Sequence, residues 1–278
     1  MPIELSKNKK SIKTNQFMSK NQIITLFCLL ITFSIFQVNG QCTITDSKEC
    51  EKTTYKIDVN NTCQEIVFDS CGTVTYSVKL EYNDQNQCKS LETSANGGAK
   101  STFSYNRSKK LSKATVEANE NQIVNAYSYF GNNLDVIISS MEVMGVKFQA
   151  TTKFVYVNGV LNKIDFEESM SKKKESVVQG ITYSTQLLDK VFDKNSQANK
   201  DVALGFYVGM GGSENLIEIV SNKVVKSYLL KDIETCDKLI KVEFDYKQEG
   251  NNQLKVIKKK TCNGKTTSET NILTVDCK

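Results

Sequence analysis

Three features of this 278-residue sequence predict an all-β chain. Hydrophobicity alternates with a period of two over many short segments, turn residues separate those segments at short intervals, and no proline follows Pro2. A proline inside a sheet would delete ladder hydrogen bonds, so its absence fits long, continuously paired strands. The expected architecture is a mainly antiparallel meander, barrel- or sandwich-like, with one short helix and disulfide reinforcement.

The chain begins with a different kind of segment. Lys7, Lys9, Lys10, Lys13 and Lys20 precede an apolar run from Ile23 to Phe36, which ends at Val38-Asn39-Gly40. A basic region, a short apolar core and a small-residue exit read as a signal peptide cleaved near Gly40. Crossing a bilayer as a helix takes about 20 apolar residues, more than this run holds. Residues 1–40 are therefore assigned as an N-terminal extension and signal peptide, with either Met1 or Met18 as the start. The C-terminus, Asp276-Cys277-Lys278, carries no hydrophobic tail of the kind a lipid anchor signal needs.

Beyond the leader, the clearest strand runs through Val74, Tyr76, Val78, Leu80 and Tyr82, with Thr75, Ser77, Lys79 and Glu81 between them. Ile240, Val242, Phe244 and Tyr246 repeat the pattern against Lys241, Glu243 and Asp245. Weaker alternation marks strands at 55–59, 65–69, 123–130, 134–139, 146–149, 154–157, 164–166, 177–183, 204–208, 216–220, 224–230 and 273–275. Asn158-Gly159 is the dipeptide of a two-residue type I′ hairpin. Gly131-Asn132-Asn133, Glu249-Gly250-Asn251 and Asn263-Gly264 mark further reversals. Val78–Asn83 also resembles Val242–Lys247, each run following a cysteine, which shared strand grammar explains as well as duplication does.

The expected helix lies after Ser184, with Leu187, Leu188, Val191 and Phe192 on one face. Lys109–Asn121 is a second, poorer helix candidate, and the polar stretch 89–121 reads otherwise as an exposed connection. Residues 41–278 are taken as a single secreted β-rich domain with Cys-rich ends at 41–88 and 236–278.

Cys28 lies in the leader. Eight cysteines remain: Cys42, Cys50, Cys63, Cys71, Cys88, Cys236, Cys262 and Cys277. An even number in an exported chain reads as four disulfides of unspecified connectivity. Five precede residue 89 and three follow residue 235, so complete pairing within the chain requires a bridge between the two ends. Asn60 and Asn106 head glycosylation sequons.

Composition closes off many activities. No histidine is present, which removes His-dependent triads, HExxH metalloproteases and Cys/His zinc sites. Removing the five Lys and one Glu of residues 1–40 from 36 basic and 31 acidic residues leaves 31 against 30, which exerts no overall pull on nucleic acid. Gly264-Lys265-Thr266 lacks the upstream glycine of a phosphate loop, that place being Lys259. Asp193, Asn195, Gln197, Asn199 and Asp201 alternate like a calcium loop, but Ala198 and Leu204 stand where Gly and Glu belong. Lys172–Lys174 and Lys258–Lys260, with Arg107, Lys109, Lys110 and Lys113, are basic runs that would suit a sulfated or phosphorylated polyanion if the fold gathers them on one face, but scattered lysines that keep strand edges soluble explain them better. No catalytic, cofactor-binding or metal site is assigned, and no cofactor is expected.

The functional expectation is a secreted, disulfide-stabilised glycoprotein that binds without catalysis, at the cell surface or to another extracellular protein. Its partners would be an extracellular protein, glycan or lipid, with no nucleic acid and no stable membrane anchor. One alternative is a carrier holding a lipid or other apolar ligand in a barrel cavity lined by Met141, Met144, Val146 and Phe148. The other is a small carbohydrate-active enzyme built on paired carboxylates, from Asp165, Glu167 and Glu168 or from Asp232 and Glu234.

Overall fold

A computed structural model describes residues 42–277, apart from 59–61, 95–97, 119–120, 144, 170–173, 185–196, 206–212, 222, 232–235, 238 and 251. The leader and the expected helix face Leu187–Phe192 lie outside the described residues. The strands are β1 (Cys42–Lys48), β2 (Glu51–Ile57), β3 (Cys63–Ser70), β4 (Thr73–Tyr82), β5 (Cys88–Thr93), β6 (Ala99–Tyr105), β7 (Leu111–Ala118) and β8 (Asn121–Phe130). They continue as β9 (Asn133–Val143), β10 (Val146–Val157), β11 (Val160–Glu168), β12 (Lys174–Tyr183), β13 (Val225–Lys231), β14 (Leu239–Glu249), β15 (Gln253–Cys262) and β16 (Lys265–Cys277). Each pairs antiparallel with its sequence neighbours, and β1 pairs with β16, so the meander closes into a sixteen-strand barrel. Closure removes both sheet edges and leaves no ladder unpaired.

The all-β antiparallel meander is the predicted fold, and of the barrel and sandwich alternatives it takes the barrel. The turns follow their chemistry, since Asn158 and Gly159 both have positive φ, 52° and 75°, as a type I′ hairpin demands. Two local expectations are corrected. The stretch 89–121 is wall rather than connection, and holds β5, β6 and β7. Its inward residues include Ser101 and Ala114, too small or polar to make the alternation stand out. The described parts of the apolar runs at 204–208 and 216–220 are helical rather than extended. Leu204 ends α1 (Gln197–Gly205) and Leu216 lies in α2 (Ser213–Val220). Short apolar runs carry no period that separates a strand from a buried helix.

Alternation sets the two faces of the wall. Tyr76, Val78 and Leu80 of β4 are buried inward while Lys79 and Glu81 are exposed, and Ile240, Val242 and Tyr246 of β14 oppose Lys241, Asp245 and Lys247. The core is therefore the lumen, lined by Tyr55, Ile66, Leu91, Ile137, Phe154, Ile164 and Tyr228 among others. Ion pairs such as Lys56–Glu65 at 2.6 Å and Lys241–Glu243 at 2.8 Å lie on the outside.

Disulfides Cys50–Cys71 and Cys236–Cys262 clip one end of the barrel. Cys42 is also disulfide-bonded, and the β1–β16 register places it directly across from Cys277. Cys63 and Cys88 are buried free thiols.

Candidate functional site

The lumen carries the distinctive chemistry. An apolar residue, a spacer and a tyrosine end every second strand from β4 to β14: Leu80/Tyr82, Phe103/Tyr105, Tyr127/Tyr129, Phe154/Tyr156, Ile181/Tyr183 and Phe244/Tyr246. The period of two points both members of each pair inward. A phenol is long enough to cross one strand spacing of about 4.8 Å and reach the carbonyl that the neighbouring turn leaves free.

Five of these six hydroxyls make that bond. Tyr82 donates to the Cys63 carbonyl at 2.8 Å, Tyr105 to Cys88 at 2.9 Å and Tyr156 to Leu134 at 3.0 Å. Tyr183 donates to Leu161 at 2.6 Å and Tyr246 to Val225 at 3.0 Å. Every acceptor is at the start of the strand that precedes its tyrosine's strand. The result is a ring of tyrosines at one barrel end, each locking its own hairpin. Tyr129 is the exception, for its buried hydroxyl has no partner.

That exception coincides with a plug. Between β12 and β13 the chain leaves the wall, and its neck is held by the Ser184 amide donating to the Val224 carbonyl at 2.8 Å. The helices of this excursion pack on the inner wall, α1 against β5, β6 and β7, and α2 against β11, β12 and β13. Val202, Leu204, Leu216, Ile217 and Ile219 are buried there. Tyr127, inward on β8, donates its hydroxyl to the Leu204 carbonyl at 2.7 Å and so satisfies an acceptor at the end of α1. Gly205 makes the approach possible, since a Cβ there would lie 1.9 Å from Cε1 of Phe103. Asp201 is 1% exposed and lies beside Tyr105 and Tyr129.

Polar groups line the same interior. Ser101, Asn125, Ser139 and Thr152 are buried on β6, β8, β9 and β10, and the hydroxyls of Ser101 and Ser139 have no partner. Across the lumen, Asp46 on β1 accepts from Asn271 Nδ2 at 3.0 Å, and its other oxygen is unpartnered.

The residues singled out in the sequence fall elsewhere. Asn106 is exposed in the β6–β7 turn, where its side-chain oxygen accepts from the amides of Ser108 at 2.9 Å and Lys110 at 3.0 Å. Asn60 lies outside the described residues. The Cys63 and Cys88 thiols donate to the carbonyls of Glu65 at 3.6 Å and Ser90 at 3.5 Å. Asp165 is on the outer wall beside Lys163 at 2.9 Å, while Asp232 and Glu234 are not described. Of the proposed cavity lining, Met141 is half-buried, Val146 is exposed and Met144 is not described. Among the described residues no cluster of acidic or cysteine ligands could hold a metal ion. The tyrosine ring went unread, although the likeness of 78–83 to 242–247 is two of its members, Tyr82 and Tyr246.

No family model matches the chain, and no curated protein matches it. Among solved structures it is similar to a porin-like protein from Bacteroides uniformis ATCC 8492, at 12% identity and a TM-score of 0.51. The match covers 87% of this chain and 98% of that one, and is a likeness of fold. With the closed barrel, it corrects the functional expectation. A secreted surface binder with no stable membrane anchor does not agree with an architecture shared with a porin-like protein. The carrier alternative fails because α1 and α2 occupy the lumen it would have used. Of the carboxylates nominated for the enzyme alternative, Asp165 and Glu167 alternate with the buried Ile164 and so face outward, Glu168 is exposed, and Asp232 and Glu234 lie outside the described residues.

Proposed function

We propose that this chain works at a membrane as a porin-type barrel whose passage is held shut by its own polypeptide, a self-plugged channel. The observation that carries the reading is the pairing of a closed sixteen-strand meander with two helices, α1 and α2, packed on its inner wall. Barrels of 16–18 strands are wide enough to leave a passage, and here helices stand in it. A leader over residues 1–40 ahead of one domain, 41–278, is the export step that such a barrel requires. On the same reading Asn60 and Asn106 are offered as glycan acceptors, and Cys50–Cys71 and Cys236–Cys262 as export-compartment disulfides, whereas Cys63 and Cys88 depart from the expected four bridges as free thiols.

The outer wall argues the other way and sets the test. Lys79, Lys113, Lys153, Lys241 and Lys255 stand on it, and a lysine facing lipid at the bilayer midplane costs roughly 2–4 kcal/mol. A spanning barrel of ordinary kind has an apolar outer band and a polar interior, whereas this one has the reverse alternation. The deciding experiment is planar-bilayer recording of the purified mature chain beside Gly205→Val, which unseats α1. The channel reading expects rare openings from the wild type and frequent stepwise conductance from the variant. If both proteins stay in the aqueous phase and neither conducts, the reading falls.

A further inference from the structure

The outer wall is not uniform. On β8 the outward positions are Gln122, Val124, Ala126, Ser128 and Phe130, and on β9 they include Val136, Ile138 and Ser140. The register sets Ala126 against Ile138 and Ser128 against Val136, so two neighbouring strands present one largely apolar strip. On the far side of β9, Ile138 meets Thr151 and Val136 meets Lys153, and Val155 and Val157 continue the strip along β10. At the rim that carries the tyrosine ring, Phe130 is 82% exposed and Val157 52% exposed.

Cations frame this strip. Arg107 and Lys109 are exposed in the adjacent β6–β7 turn, and Lys113 and Lys153 flank it on β7 and β10. Lys110 donates from Nζ to the Gly131 carbonyl and, at 3.2 Å, to Asn132 Oδ1, which ties the basic turn to the turn that displays Phe130. Asp135 lies within the sector and Asp165 of β11 stands across from Lys153, while Glu117 and Glu142 lie towards the other barrel end. An exposed aromatic tip, aliphatic residues below it and a basic margin match the boundary of an anionic bilayer, where apolar groups enter and Lys and Arg meet phosphate.

We propose that the barrel contacts an anionic lipid surface through this sector, with Phe130 and Val157 entering the headgroup boundary and Arg107, Lys109, Lys113 and Lys153 meeting lipid phosphates. The proposal rests on the reading that the protein works at a membrane, and names the sector of the wall best suited to meet lipid. Its test is cosedimentation of the mature chain with phosphatidylserine/phosphatidylcholine vesicles and with phosphatidylcholine vesicles alone. Wild type is expected to bind the anionic vesicles and to lose about five-fold in affinity for each of Arg107→Gln and Lys109→Gln. Phe130→Asp is expected to lose roughly ten-fold or more. Lys255→Glu, on a distant part of the wall, leaves binding unchanged, and thermal melts confirm that each variant is folded.

Equal binding by all four variants, or no binding by wild type, overturns the proposal. So does a Phe130→Asp protein that differs from wild type only in self-association by sedimentation velocity, which assigns the strip to a second copy of the chain. The two readings fail separately. Sector-dependent binding without conductance removes the channel alone, and conductance without sector dependence removes the sector alone.

Discussion

Two stretches of the inner wall are built to the same plan and end differently. From β9 to β12 the plan is followed, with Tyr156 and Tyr183 closing their hairpins onto the carbonyls of Leu134 and Leu161. From β5 to β8 it bends around the plug. Tyr105 still closes its hairpin, but Tyr129 has no partner and Tyr127 donates to Leu204 of α1. One stretch spends its phenols on the wall, the other partly on the object inside it. The difference shows that the helices are held by directional bonds and a close backbone approach as well as by apolar burial.

Breaking the plug's seat should have the largest effect. Gly205→Val drives new carbons into the buried Phe103 ring, and a strained insertion into a packed core costs about 1–3 kcal/mol or more. We expect a loss near the upper end by denaturant unfolding, with hydrogen exchange rising first in α1 and only later in β9–β12. If all strands lose protection together, the plug and wall are one cooperative unit and the comparison breaks.

Removing the Cys50–Cys71 bridge comes next. It closes a loop with a sequence separation of 21, and loops of that size contribute about 3 kcal/mol in the chain-entropy model. A Cys50→Ala/Cys71→Ala protein should melt lower at unchanged strand content by circular dichroism. Because the bridge lies at the end opposite the tyrosine ring, its loss should leave α1 protection in proportion to global stability.

The tyrosines sharpen the comparison. Tyr156→Phe leaves the Leu134 carbonyl without its donor and should cost about 1–3 kcal/mol. Tyr129→Phe removes a hydroxyl that is buried and unbonded, so it should cost almost nothing or stabilise by a few tenths of a kcal/mol. Equal losses at the two positions, measured by urea unfolding, would mean that the ring is not the source of the difference.

Much of the wall could be read from the residues. Val74–Tyr82 and Ile240–Tyr246 announce themselves because large apolar and charged groups alternate without a break. The β5–β7 wall does not, since Ser90 and Ser101 are small and polar and Ala114 is small, and the stretch looks like a loop. The site was less legible still. A tyrosine at a strand end is ordinary by itself, and its role depends on an acceptor about twenty residues upstream, as Tyr82 depends on Cys63. The plug helices were read as strands because their short apolar runs fit either structure.

Alternation and turn type depend on residues a few places apart, and they are written into the chain locally. Closure depends on Cys42–Ser47 meeting Ile272–Cys277, a pairing that no local pattern states and that loop entropy opposes until the other strands are in place. The same holds for the seating of α1, which is favourable only because a finished barrel offers Phe103, Tyr127 and the apolar lumen as its seat. Which strip of the outside is left apolar is likewise a matter of register, because Ala126 and Ile138 become neighbours only when β8 and β9 pair.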